Sequence, residues 1–213
     1  MKDIDLASLL VSRVCHDLIS PVGAVINGLE VMEDDDDPGM REEALKLIGR
    51  SAAQASAKLQ FARIAFGASG SRGDVVPIGD VREAAAKVFE DSKAKLDWQA
   101  PDLSLPKAQV KALANLVALG NECLPRGGTV SVMVEVSTKG TELVVRAKGQ
   151  GARLAEEMRV ALAGETQVEK VDGRAVVPLM LGLVSRQHGG RLVPDVKPDE
   201  VLLSLSFAKA ANA

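Results

Sequence analysis

The chain of 213 residues balances 26 Lys and Arg against 29 Asp and Glu, a formal net charge of −3 that gives no basic footprint for nucleic acid. Aromatic residues amount to 2%, with no Tyr and Trp98 as the single Trp, so the stacking platforms of nucleic-acid binders are missing too. Cys15 and Cys123 stand far apart, which makes neither a disulfide framework nor a zinc site and suits a reducing compartment.

The start, Met-Lys-Asp-Ile-Asp, has no signal-peptide pattern, and no apolar run approaches the roughly 18–20 residues of a membrane span. A cytoplasmic protein that does not enter a membrane is expected. Residues 4–33 read as one long helix. Leu10, Val14, Leu18, Val22, Val25, Leu29 and Met32 recur every third or fourth position and make one stripe. His16 falls about 170° from the middle of that stripe, so it points to solvent while the stripe faces a partner helix. Ser12, Ser20, Gly23 and Asn27 share its face, all small or polar, and leave the imidazole open to another protein. Pro21, one turn beyond, removes a helical hydrogen bond and predicts a kink. The run from Glu33 to Asp37, followed by Pro38 and Gly39, stops the helix. It reads as a solvated turn; a metal site is the other reading, though the alternating spacing of a calcium loop is lacking.

A second helix is predicted over about 40–67, with Leu45, Ile48, Ala52, Ala55, Leu59, Ala62 and Phe66 at helical spacing. Two such helices joined by a short turn make an antiparallel hairpin. One hairpin cannot cover both stripes, but two can pair into a four-helix bundle, and the many alanines of the second helix suit close approach. A homodimer is the expected assembly. The Gly/Ser-rich stretch 67–73 then divides the chain into domains at 1–73 and 74–213.

The second part mixes helix and strand. Helices are predicted at 79–94, 106–124, 153–164 and 178–188, and strands at 95–100, 129–136, 141–147 and 201–207. Val130, Val132, Val134 and Val136 alternate on one face, Lys139-Gly140 is the hairpin turn, and Leu203, Leu205 and Phe207 alternate with serines. Mostly antiparallel strands with helices on one face make an α+β sandwich.

The stretch from Val14 to Val22 resembles the H-box of two-component histidine kinases, a phosphorylatable His followed by an acid, Leu, two variable positions and Pro. His16, Asp17, Leu18 and Pro21 carry the match. The resemblance extends over nearly the whole chain and implies an α+β fold: a hairpin forming a dimeric four-helix bundle, followed by a degenerate histidine-kinase-type (Bergerat, GHKL-like) α/β sandwich. Asn115 to Pro125 resembles the N-box, with the Mg²⁺-ligand position falling on Leu119; Asn121 would need a shifted register. Val145 to Gly151 resembles the first glycine box, but the adenine-reading Asp becomes Ala147, which accepts no hydrogen bond through its side chain. Counting back from His188-Gly189-Gly190, the phosphate-cradling glycines become Ala175-Val-Val-Pro178. His188 itself reads as a helix end before a glycine cap.

An intact His beside a dead nucleotide site resembles the ChpT-type histidine phosphotransferases of phosphorelays. That resemblance implies a phosphoryl group carried on His16 between the receiver Asp of a hybrid histidine kinase and the receiver Asp of a response regulator. It implies Nε2 as nucleophile, no bound ATP and no resident cofactor, with Mg²⁺ supplied by the receiver. Asp17 would fix the ring tautomer, or be a plain surface carboxylate. Arg13 would steady phosphate or pair with receiver acids, or be a solvated charge. Ser20, Gly23 and Asn27 would line the receiver contact, with the loops near 148–152 and 165–175 as further docking candidates. An ATP-dependent kinase core and a non-catalytic adaptor are the alternative functions.

Overall fold

The computed structural model describes residues 3–34, 37–67, 75–164 and 175–209. The middle of the acidic run, the Gly/Ser-rich stretch with the expected 73/74 boundary, and the docking loop at 165–174 lie outside the described residues.

Helices α1 (Asp3–Asp34) and α2 (Pro38–Phe66) form the hairpin. α1 continues through Pro21, whose side chain is buried. α2 begins slightly earlier than its periodicity predicts, because the acidic run that ends one helix also starts the next. The Asp37 carboxylate accepts a hydrogen bond from Gly39 N–H at 3.3 Å, and Pro38 takes the first helical position, where no N–H is needed.

The apolar stripe of α1 divides. Leu10, Val14, Leu18 and Val25 are half-buried and Gly28 is buried, whereas Val22 and Leu29 are exposed together with Val11, Ile19 and Ile26. α2 divides likewise: Ile48, Ala55, Ala62 and Phe66 are half-buried, while Leu45, Ala52 and Leu59 recur outward at heptad spacing. One hairpin closes only part of its apolar surface. One statement about apolar runs needs a correction: by length and composition alone, helix Leu6–Asp34 is long and apolar enough to cross a bilayer, a test that a soluble core helix or a signal sequence also passes. Scattered residues such as Ser20, Gly23 and Asn27 interrupt the apolar run without making the helix hydrophilic.

Beyond the hairpin come β1 (Val75–Pro77), α3 (Gly79–Phe89), β2 (Ala94–Trp98), β3 (Ser104–Pro106) and α4 (Lys107–Glu122). They are followed by β4 (Gly128–Ser137), β5 (Gly140–Lys148), α5 (Glu156–Ala163), α6 (Val176–Gln187), β6 (Gly190–Lys197) and β7 (Glu200–Ala208). The main sheet has the order β2-β4-β5-β7-β6, parallel only between β2 and β4, and β1 pairs with β3 in a separate antiparallel ribbon. Strands β1, β3 and β6 have no counterpart in the sequence reading. The first two are too short to show a period, and Pro194 inside β6 is tolerated because that strand is an edge.

Val130, Val132 and Val134 of β4, Leu143, Val145 and Ala147 of β5, and Leu203, Leu205 and Phe207 of β7 bury one face of the sheet. Val136, at the tip of the β4–β5 hairpin, leaves that row and is exposed. The buried face packs with Leu113, Leu116 and Leu119 of α4 and Val176 and Leu181 of α6 in one core. The root of the hairpin joins the same core through Ala65, with Leu6, Leu9, Leu10, Phe61 and Phe66 packed against it. Asn115, fully buried, fastens the joint: its Nδ2 donates to the Ala65 carbonyl at 2.8 Å and to the Lys111 carbonyl at 2.9 Å. The Ala65 carbonyl lies in the last turn of α2, where no intrahelical donor remains.

Candidate functional site

His16 lies midway along α1 with its side chain 85% exposed. Its Nδ1 is 3.5 Å from Asp17 Oδ1, so Nε2 is the nitrogen left facing outward. Ser12, Ser20 and Asn27 are exposed on the same side, and no atom lies within 4 Å of where a Cβ on Gly23 would stand. The helix face read from the sequence is therefore open along its length in this chain.

Arg13 points the other way, towards the rest of the chain. Its Nε donates to Asp17 Oδ2 at 2.9 Å, and a terminal nitrogen lies 2.8 Å from Oε1 of Glu122, at the end of α4. The side chains of Arg13 and Glu122 are 19% and 17% exposed, so this ion pair is largely withdrawn from water. Burial opposes the guanidinium charge, but the Glu122 and Asp17 carboxylates outweigh it and hold Arg13 above its ordinary value. The structure thus places Arg13 beside two carboxylates of its own chain. Asp17 is fixed from a second side, since Lys58 Nζ of α2 donates to its backbone carbonyl at 3.0 Å. A small cavity of about 180 Å³ runs beneath the cluster, lined by Arg13, Asp17, Lys58, Phe61, Phe89 and Glu122 among others.

Glu122 and Lys58 are the members that sequence reasoning missed. A signal existed for Glu122: it stands among the apolar residues 116–124, where a carboxylate needs a partner.

At the positions that the sequence resemblance sets against a kinase nucleotide site, the side chains are apolar and buried. Leu119 and Ala147 are fully buried and apolar, and Ala175 to Pro178 are buried at the opening of α6. Pro178 is tolerated in that first turn because its missing N–H is not required there. The amides of the glycine box are already used: Gly149 N–H donates to the Asp199 carbonyl at 3.0 Å, and Gly151 N–H to the Asp199 carboxylate at 2.6 Å. Asn121 is also engaged, accepting from Ser92 Oγ at 2.8 Å. His188 caps the end of α6 ahead of Gly189, which has a positive φ of 68°.

Residues 78–200 match the family described as the histidine phosphotransferase C-terminal domain. The chain belongs to the histidine phosphotransferase family. It is 38% identical over 204 residues to the protein phosphotransferase ChpT of Brucella abortus (strain 2308), with 96% of each chain covered. A solved bacterial phosphotransferase superposes with a TM-score of 0.85 at 36% identity, over 96% of this chain and 97% of that one. The histidine kinase domain of the blue-light activated kinase from Erythrobacter litoralis EL346 is similar in fold alone, with a TM-score of 0.50 at 13% identity over 87% of this chain and 95% of that one. A histidine phosphotransferase thus shares the hairpin-plus-sandwich architecture of the kinases, while the residues at the nucleotide positions of this chain are apolar or already bonded.

Proposed function

We propose that this protein is a phosphorelay carrier: His16 receives a phosphoryl group from the receiver aspartyl phosphate of a hybrid histidine kinase and passes it to the receiver Asp of a response regulator. The observation that carries the reading is the orientation of His16, with Nδ1 turned to Asp17 and Nε2 on an open helix face. In the first step the Nε2 lone pair forms a bond to phosphorus as the bond to the donor's carboxylate oxygen breaks, and the free carboxylate leaves. The ring becomes a phosphorylated imidazolium that keeps its proton on Nδ1, where the Asp17 carboxylate stabilises the positive charge. Attack by the acceptor Asp reverses these changes and returns the ring to neutrality. Positioning and electrostatics are the principal demands of phosphoryl transfer, and the Mg²⁺ that neutralises the phosphoryl oxygens belongs to the receiver.

Residues 1–73 serve as the phosphotransfer and dimerisation domain and 74–213 as a degenerate ATPase-like domain. Two chains pair through the exposed apolar faces of α1 and α2, which is also the role assigned to the apolar character of α1 in place of a membrane. No nucleotide takes part. The free thiols of Cys15 and Cys123 support a reducing, cytoplasmic location. Ser20, Gly23 and Asn27 border the docked receiver, and Arg13 acts on it only through Asp17.

The test is transfer from a phosphorylated receiver. Wild-type protein gains acid-labile label and hands it to a second receiver, while His16→Ala gains none and hands on none. Undiminished transfer by His16→Ala would overturn the assignment. Because the side chain is exposed, the variant should keep its stability within about 0.5 kcal/mol, so loss of transfer is not loss of fold.

A further inference from the structure

We infer that the cavity between hairpin and sandwich is a binding site for a small, uncharged aromatic ligand that carries one hydrogen-bond acceptor. The inference does not depend on which side chain carries phosphate. The cavity holds about 180 Å³ where α1, α2, α3, α4 and α6 meet, and such junctions between structural units are where small-molecule sites tend to form. An apolar cavity of about 150 Å³ accommodates benzene, so this one admits a single ring with a short substituent. Its walls concentrate the aromatic side chains of the protein. The sequence has four Phe, and three of them, Phe61, Phe66 and Phe89, line this one space. Rings supplied by α2 and α3 can meet a flat ligand in offset or edge-to-face contact, which an aliphatic ligand would not exploit.

The polar groups of the wall specify the rest. The Lys58 ammonium has three N–H groups and donates one of them to the Asp17 carbonyl at 3.0 Å. Asn121 accepts from Ser92 Oγ at 2.8 Å through Oδ1, while its Nδ2 has no hydrogen-bond partner among the described residues. Both side chains line the cavity and have donors to spare, so the matching ligand group is an acceptor, a carbonyl or hydroxyl oxygen. Charge selects against an ionised ligand. Arg13 and Lys58 share the wall with Asp17 and Glu122, so cations and anions balance. A charged ligand would give up its water for a site with no net charge to receive it.

The experiment titrates the full-length protein with acetophenone, benzene and benzoate, following the phenylalanine ring resonances by NMR. Acetophenone has one ring and one carbonyl acceptor. It should reach half-saturation at or below about 1 mM, a modest demand per ligand atom, and shift Phe61, Phe66 and Phe89. Benzene, which lacks the acceptor, and benzoate, which is charged, should each bind more weakly. Asn121→Leu should weaken acetophenone roughly 3- to 10-fold, the worth of one neutral hydrogen bond, and leave benzene no weaker. Ala118→Leu projects a side chain into the cavity from α4 and should abolish binding of all three. Ala62→Leu does the same from α2 and serves if the first variant does not fold. A ligand that touches hairpin and sandwich together should also raise the thermal midpoint of wild type, and not that of the filled variants. Failure of acetophenone to saturate, undiminished binding in a folded filled variant, or benzoate binding as tightly as acetophenone would overturn the inference.

Discussion

Lys58 Nζ stands 3.0 Å from the backbone carbonyl oxygen of Asp17, the carbonyl that Pro21 leaves without its helical donor. In an α-helix the amide of residue i bonds the carbonyl of residue i−4, and proline has no amide hydrogen to give. Pro21 therefore opens one acceptor beside His16, and α2 fills it with a charged donor. Lys58→Met should lower stability by about 1 kcal/mol, the usual scale for one such bond. In a Pro21→Ala background, where residue 21 regains its N–H, the same substitution should cost less. Urea unfolding of the four proteins of this cycle measures the difference, and equal losses in both backgrounds would contradict the compensation.

Two glycines of α1 make opposite demands. A Cβ on Gly28 would stand 2.7 Å from Cγ1 of Ile48 and 3.2 Å from the Ala44 carbonyl oxygen, because the hairpin helices touch there. Gly28→Ala should destabilise the hairpin by about 1–3 kcal/mol, the cost of overpacking. Gly23 has open space around it, so Gly23→Leu should leave stability unchanged or raise it by roughly 0.5–1 kcal/mol through helix propensity. It should nevertheless slow transfer from a phosphorylated receiver, since a bulky side chain would protrude one face-length from His16. Thermal melts and transfer rates on both variants separate packing from docking.

The hairpin and His16 were legible in the sequence because long helices repeat their pattern many times over. The assignment of each apolar residue to its partner was not. A period of 3.6 tells which way Leu18 or Leu29 points, but not whether the neighbouring helix or a second chain covers it. Leu18, read as part of a single buried stripe, is only half-buried here, while Leu29 is exposed. The sheet was legible where valines alternate in β4, and illegible in β1 and β3, which have three residues each. The Arg13–Glu122 pair was out of reach for another reason. No local pattern links an arginine on the first helix to a glutamate in the second half of the chain; only the docking of α4 against the hairpin brings them together.

The two cysteines should behave differently. Burial, reinforced by the negative charge of Glu122, pushes the Cys123 thiol from an ordinary 9.0 up to about 12. Thiolate is the reactive form, so Cys123 should resist a disulfide reagent at about pH 8 in the folded protein, whereas exposed Cys15 should be accessible to it. One thiol per chain should titrate under native conditions and two after denaturation. The sign of the pH dependence follows. Between the unfolded and folded values the unfolded thiol loses its proton while the folded one keeps it, so this group's contribution is complete below about pH 9 and declines as pH rises towards 12. A second thiol reacting fast in the native protein would contradict the burial of Cys123.

The exposed apolar residues of the hairpin set the last test. Val22, Ile26 and Leu29 on α1 and Leu45, Ala52 and Leu59 on α2 are exposed, and each of the large ones is about half exposed in a single chain. A row of that kind on adjacent helices is more apolar surface than a monomer ordinarily leaves in water, and it has the spacing of a bundle seam. Burying it against a second hairpin by a two-fold operation places identical rows in contact and leaves the Ser20 and Asn27 side of α1 clear for a receiver. Wild-type protein should therefore sediment as a dimer at micromolar concentration. Ile26→Glu with Leu59→Glu should sediment as a monomer, because each substitution places a carboxylate in the proposed seam, where it would have to be desolvated without a partner. Neither residue supports the sandwich core, so the monomeric variant should keep its strand and helix content by circular dichroism. A wild-type protein that remains monomeric under those conditions would mean that the row is covered by something other than its own copy.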